Sequence, residues 1–212
     1  MILSKLLLSP NSRLVRKELG NQYELHRSLM SAFPNQINRE AAALLYRLES
    51  SRDPLRMGIP ILVQSITEPD WRSLESRTDY LFCSPVLKKV VPQPQGMQGT
   101  FRFTLRANPT QRNSQSRKLI PIQQDVQLVE WINSKASQNG FSIVDESLLI
   151  RKAPPLLIHK PENGKMLRIQ IQVTDFSGLL QITDSQMFLQ AWQTGIGRGK
   201  SFGCGMLSLA RI

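Results

Sequence analysis

The segment 99–107, Gly-Thr-Phe-Arg-Phe-Thr-Leu-Arg-Ala, alternates with period two. Phe101, Phe103 and Leu105 fall on one side, and Arg102, Thr104 and Arg106 on the other, as in a strand with one buried face. A series of elements follows it. A helix is expected at 125–138, capped by Asp125 and ended by Asn139-Gly140, then strands at 141–152 and 166–174. A loop holding Pro154, Pro155, His159, Lys160 and Pro161 joins those strands. A helix at 184–192 capped by Asp184 and a strand at 206–210 complete the order β-α-β-β-α-β, the split βαβ arrangement.

The first half shows the same order. A strand at 2–8 leads into a loop at 10–20, and a helix runs from the N-cap Asn21 to Ala32, stopped by Phe33-Pro34-Asn35. Residues 41–48 fit helix or strand. A strand at 44–49 is favoured because 61–65 follows as its partner after a turn region at 54–60. A short helix begins near Asp70, and prolines bound a strand at 85–92. The expected fold is α+β, with tandem ferredoxin-like (RRM-like) βαββαβ domains and antiparallel sheets. Residues 1–92 form one domain and residues 97–212 the other.

The 212 residues carry a formal charge of +11, which calls for an anionic partner, nucleic acid before membrane surface. From 80 to 124 there is no acid, while Lys88, Lys89, Arg102, Arg106, Arg112, Arg117 and Lys118 all fall inside. Such a run attracts phosphate. The two cysteines, Cys83 and Cys204, belong to no metal-ligand cluster and suit a reducing cytosol, so the chain is expected to be cytoplasmic. The short apolar start reads as a strand rather than a signal peptide, and no stretch approaches the length of a membrane span.

Near the C-terminus Gly195, Gly197, Gly199, Gly203 and Gly205 surround Arg198, Lys200 and Ser201. Backbone N–H groups in such a loop can cradle an anion, or the glycines can simply make a tight turn. A P-loop would require glycine where Thr194 stands, and the spacing of Gly195, Gly197 and Gly199 does not fit a dinucleotide fingerprint. No nucleotide cofactor is therefore expected, and the phosphate of a nucleic acid is favoured.

His26 follows Tyr23 by three residues, which puts both on one helical face with Arg27 and Met30, away from Leu25 and Leu29. Histidine is the natural acid or base near neutral pH, and RNA supplies its own nucleophile, the 2′-hydroxyl. Clustered acids for two-metal chemistry, a serine nucleophile elbow and the stacking aromatics of RNA-recognition sheets are missing. These residues leave open an enzyme, a non-catalytic RNA-binding scaffold, or a nucleotide-binding enzyme.

Four segments resemble one family in order along the whole chain. They are Met1-Ile-Leu-Ser-Lys, Tyr23-Glu-Leu-His26 with Phe33-Pro34-Asn35, Phe103-Thr-Leu-Arg-Ala-Asn-Pro109, and Gly195-Ile-Gly through Lys200-Ser-Phe-Gly-Cys-Gly-Met-Leu-Ser-Leu. The family is CasE, the CRISPR repeat endoribonucleases of type I-E Cascade systems. The resemblance implies metal-independent cleavage at the 3′ base of a repeat RNA stem-loop, leaving 2′,3′-cyclic phosphate and 5′-hydroxyl ends. It implies retention of the product among other Cascade subunits, with no membrane partner. His26 would be the acid or base and Tyr23 its partner. Arg27, Arg102, Arg106, Arg112 and Lys118 would hold the RNA, with Arg151, Lys152 and Lys160 as a second gripping element. The glycine loop would touch RNA and pack between domains, with residues 197–203 facing the first helix.

Overall fold

The computed structural model describes residues 1–49, 58–91 and 98–212. The expected boundary between domains, and part of the expected turn at 54–60, lie outside these residues. The chain forms two compact units. The first comprises Met1–Val91, Leu156–Gln170 and Lys200–Gly203; the second comprises Pro92–Pro155, Ile171–Gly199 and Cys204–Ile212. Neither is continuous in sequence.

The first unit contains β1 (Ile2–Leu8), α1 (Arg13–Leu19), α2 (Gln22–Met30), α3 (Arg39–Ala42), β2 (Leu45–Leu48), β3 (Ile59–Ser65), α4 (Arg72–Glu75) and β4 (Leu81–Lys89). Its four strands pair antiparallel in the order β2-β3-β1-β4, the ferredoxin-like order. Leu6, Leu8, Leu25, Leu29, Tyr46, Ile61 and Tyr80 are fully buried in its core. Each such side chain contributes about 1.5–3 kcal/mol relative to exposure.

The expected loop at 10–20 is instead largely α1. Ser12 caps it by accepting the Val15 N–H at 3.5 Å, and Val15 is buried. Residues 41–48 divide between both expected states: α3 ends at Ala42, Ala43 turns into the left-handed region at φ 46°, and β2 begins at Leu45.

The second unit contains β5 (Thr100–Ala107), β6 (Thr110–Arg112), β7 (Leu119–Pro121), α5 (Asp125–Gln138), β8 (Phe141–Ile143), α6 (Ser185–Thr194) and β11 (Leu207–Arg211). The long strands β9 (Leu149–Glu162) and β10 (Lys165–Ile182) begin and end in it, while their distal halves belong to the first unit. The sheet order β11-β5-β10-β8 is again ferredoxin-like, with β9 added as a partner of β10. Phe103, Leu105 and Ala107 of β5 face the core, as the alternation requires.

Two expectations are corrected here, and between β5 and α5, where no element is expected, β6 pairs with β7 in a two-stranded ribbon. Asp125 is the first residue of α5 rather than its cap, which is Gln124. The proline-rich loop is part of β9, and the chain reverses at Asn163-Gly164, where φ is 50° and 74°. Pro154, Pro155 and Pro161 are compatible with a strand paired on one side only.

Candidate functional site

The site in the first unit is built on α2. Asn21 caps this helix by accepting the Tyr23 N–H at 3.4 Å. The same side chain holds the distal half of β9: Asn21 Nδ2 donates to the His159 carbonyl at 2.9 Å, and the His159 N–H donates to Asn21 Oδ1 at 3.2 Å. His159 thus contributes its backbone, and its side chain is exposed. Below the helix, Glu18 accepts Ser28 Oγ at 2.6 Å and the Tyr80 hydroxyl, and Arg77 donates to Ser28 Oγ at 2.7 Å. A buried carboxylate with these partners fixes the rear face of α2.

The opposite face lines an open groove of about 420 Å³ with His26, Arg27, Met30, Ser31, Phe33, Pro34, Asn35, Ile37 and Arg39. His26 stacks on Tyr46 at 6.4 Å between centroids and 18° between planes. Its Nδ1 is buried and has no hydrogen-bond partner among the described residues. Burial, and then the charge of Arg39, lower its pKa from 6.5 to about 4. The imidazole is therefore neutral at pH 7 and can accept a proton. An anion in the groove would raise that value by favouring the charged form.

Tyr23 is half-buried, and the Arg27 guanidinium lies 6.0 Å from the centre of its ring. Arg27 also pairs with Glu24 at 3.1 Å, an exposed pair of small energetic value.

Lys200–Gly203 also belongs to this unit, and its 3₁₀ turn, Lys200–Phe202, packs on α2 and β2. The Tyr46 hydroxyl lies 3.2 Å from the Gln22 carbonyl, 3.3 Å from Gln22 Oε1 and 3.2 Å from the Ser201 carbonyl. A Cβ at Gly203 would meet Tyr46 Cε2 at 3.3 Å, with φ at 79°. Glycine there allows the close approach. Lys200 is half-buried, and its ammonium pKa is lowered by burial and then by Arg39, against the opposing charge of Glu40.

The rest of the glycine loop lies in the second unit, where its backbone is stitched to its own neighbours. Ile196 N–H donates to the Gly205 carbonyl at 2.9 Å, Gly205 N–H to the Arg106 carbonyl at 2.7 Å, and Cys204 N–H to the Gly199 carbonyl at 3.3 Å. Asn108 and Arg198 form a backbone bridge. Each of these N–H groups is engaged by a backbone carbonyl. Gly195, Gly197 and Gly199 therefore act in part as a turn, with the Arg198 side chain exposed.

The other cations differ in their freedom. Arg102 is exposed on β5, and Arg112 and Lys118 are exposed on the ribbon. Arg106 donates twice to Asp175, at 2.7 and 3.0 Å, and Arg151 donates to the same carboxylate at 3.0 Å. Burial alone would raise the Asp175 pKa, but these bonds hold it below its ordinary value. Lys152 pairs with Asp125 at 2.7 Å, and Lys160 with Glu162 at 3.1 Å. Burial pushes the Cys204 thiol up to about 12, which removes it as a nucleophile. Among the described residues no three His, Cys, Asp or Glu gather as a metal site. No helix among them is long and apolar enough to cross a membrane.

Sequence reasoning missed Tyr46 and Arg39. Tyr46 sat in a segment of uncertain type, and its only signal was an aromatic residue within an apolar run. Arg39 follows Asn38, a good cap, but nothing in its local pattern ties it to His26.

Residues 1–211 match the family described as CRISPR associated protein. The chain is 31% identical to the CRISPR-associated endoribonuclease Cse3 of Thermus thermophilus, over 99% of this chain and 100% of that one. It is 28% identical to the CRISPR system Cascade subunit CasE of Escherichia coli, over the full length of both. The solved structure of CRISPR endoribonuclease Cse3 bound to a 19-nucleotide RNA resembles it with a TM-score of 0.85 at 31% identity, covering 99% of this chain and 100% of that one.

Proposed function

Because this chain belongs to the CasE/Cse3 family of CRISPR-associated proteins, we propose that it is an endoribonuclease that processes CRISPR precursor RNA. The observation that carries this reading is His26: neutral, half-buried, on the wall of an open groove that also holds Arg27 and Arg39. The substrate is a repeat stem-loop, cut at the 3′ base of the stem. The 2′-hydroxyl oxygen attacks the adjacent phosphorus and loses its proton as the O2′–P bond forms. The P–O5′ bond breaks and the 5′-oxygen gains a proton. The products are a 2′,3′-cyclic phosphate and a 5′-hydroxyl, with no redox change and no water consumed.

His26 takes up the first proton, supplies the second, or does both, and Tyr23 orients the reacting groups beside it. The electrostatics favour a basic role once phosphate is bound, because the anion raises the low histidine pKa towards neutrality. Arg102, Arg112 and Lys118 hold the RNA backbone through exposed charge. Arg106, Arg151, Lys152 and Lys160 contribute while held by their acidic neighbours. Arg198, Lys200 and Ser201 lie on the segment that divides between the units. The product stays bound, as befits a subunit of a Cascade-type assembly acting in the cytoplasm, and no metal or nucleotide takes part.

Incubating the purified protein with a repeat hairpin in EDTA tests this reading. The expected result is a single cut with a 2′,3′-cyclic end, blocked by a 2′-deoxy sugar at the scissile nucleotide. Tight hairpin binding without cleavage would identify a scaffold instead, and activity lost in EDTA would require a metal.

A further inference from the structure

The groove contains a cation to which the reading above gives no role, Arg39. Arg39 stands on a fixed platform although α3 is short. Asn38 Oδ1 accepts the Ala41 N–H at 2.8 Å, Leu44 N–H donates to the Arg39 carbonyl at 3.1 Å, and Ile66 N–H donates to the Ala42 carbonyl at 2.9 Å. The Arg39 side chain is only 21% exposed, and its acid partner, Glu40, is 82% exposed and 3.4 Å away. That contact is long and solvated, so it offsets little of the arginine charge.

His26, Arg27 and Arg39 line one groove, and other charged groups stand on the elements beside it. Arg27 and Glu24 lie on α2 and pair with each other, Arg39 and Glu40 come from α3, Lys200 comes from the 3₁₀ turn, and the uncharged Tyr46 comes from β2. Arg39 therefore influences both His26 and Lys200. Arg39 and Lys200 repel one another, and Arg39 disfavours protonation of the half-buried His26. A bound anion relieves both effects.

Resting on the endoribonuclease reading, we infer that Arg39, which lines the same groove, grips the scissile phosphate beside His26 and stabilises the charge that develops on its oxygens during transfer. Arginine suits the task because its planar guanidinium can present two parallel N–H donors to a phosphate. The transfer itself is unchanged: O2′–P forms, P–O5′ breaks, and Arg39 exchanges no proton.

Arg39→Gln and Arg39→Lys test the inference by two readouts. In single-turnover cleavage, Arg39→Gln should lose about 100-fold in rate while hairpin affinity changes by less than about threefold, the pattern of a lost transition-state donor. Arg39→Lys should recover part of that rate by restoring charge without the fork. In the RNA-free protein, inorganic phosphate should raise the His26 titration midpoint seen by NMR, and Arg39→Gln should remove that response. If Arg39→Gln does not fold, Arg39→Lys and the phosphate titration of the unaltered protein decide.

A variant cleaving within about threefold of the unaltered protein, with an unchanged phosphate response, overturns the inference. An unaltered protein that cuts nothing, yet shows the Arg39-dependent phosphate response, overturns the endoribonuclease reading and leaves the anion site standing.

Discussion

Two clusters of cations, one in each unit, are built on opposite principles. In the second unit Arg106 and Arg151 converge on Asp175, whose carboxylate is 14% exposed and accepts from both. In the first unit, Arg39 lines the groove with His26, and its ion-pair partner Glu40 is exposed. The cluster on Asp175 is internally compensated, which holds its arginines partly back from RNA. The cluster at His26 is under-compensated, so an anion arriving in the groove would stabilise it. Positive charge counted along a chain therefore overstates what is available to RNA. Arg106 lies in the long acid-free run, yet its partner comes from strand β10.

The comparison can be broken most sharply at the histidine. His26→Ala should reduce cleavage by about 10²–10⁴-fold while binding of the uncleaved hairpin stays within a few-fold. A variant that cuts at the normal rate would move the chemistry out of this groove. Acid titration is the next test. The His26 pKa is lowered from 6.5 to about 4, so between those values the unfolded chain takes up a proton that the folded one refuses. Stability should be fully present above about pH 6.5 and fall as the pH drops towards 4, by an amount on the order of 3 kcal/mol. Denaturant melts of the protein and of His26→Gln across that range measure it, and identical pH profiles would contradict the burial argument.

The compensated cluster predicts the reverse pattern. Asp175→Asn should cost about 2 kcal/mol of stability, read by thermal melting, because it leaves Arg106 partly buried without its carboxylate. The direct contrast is Arg102→Ala against Arg106→Ala. The exposed Arg102 should lower the slope of log affinity against log salt by about one when it is removed. Arg106→Ala should change that slope less and stability more. Equal slopes would mean that Asp175 does not withhold Arg106 from RNA. The smallest effect is expected at Tyr46→Phe. It leaves the stack on His26 but removes a hydroxyl within reach of three acceptors, costing about 1 kcal/mol and slowing cleavage without weakening binding. A change in affinity instead would place the tyrosine on the RNA.

Much of the architecture was legible because it rests on local patterns. The alternation of β5 and the caps Asn21 and Asp184 act over a few residues, and each behaves as the residues imply. The two strand orders followed from the succession of elements. Where local patterns were weak, the reading failed. The basic α1 looked like a loop because Arg13, Arg16 and Lys17 masked a short helix whose burial depends on Val15. The prolines of β9 looked like a loop because their tolerance depends on which edge of the strand is paired.

The sequence by itself determined the doubled βαββαβ order, the helix that carries Tyr23 and His26, the positive field, and the glycines that a close approach and left-handed turns would need. Those properties depend on residues near one another in the chain. Only the tertiary structure decided which charges are spent and which remain. It set Asp175 against Arg106, Tyr46 against His26, the Ser201 carbonyl against the Tyr46 hydroxyl, and Arg39 in the groove with His26. The physical reason is that protonation and free charge depend on burial and on neighbours through space, and neither is encoded in the spacing of residues along one element.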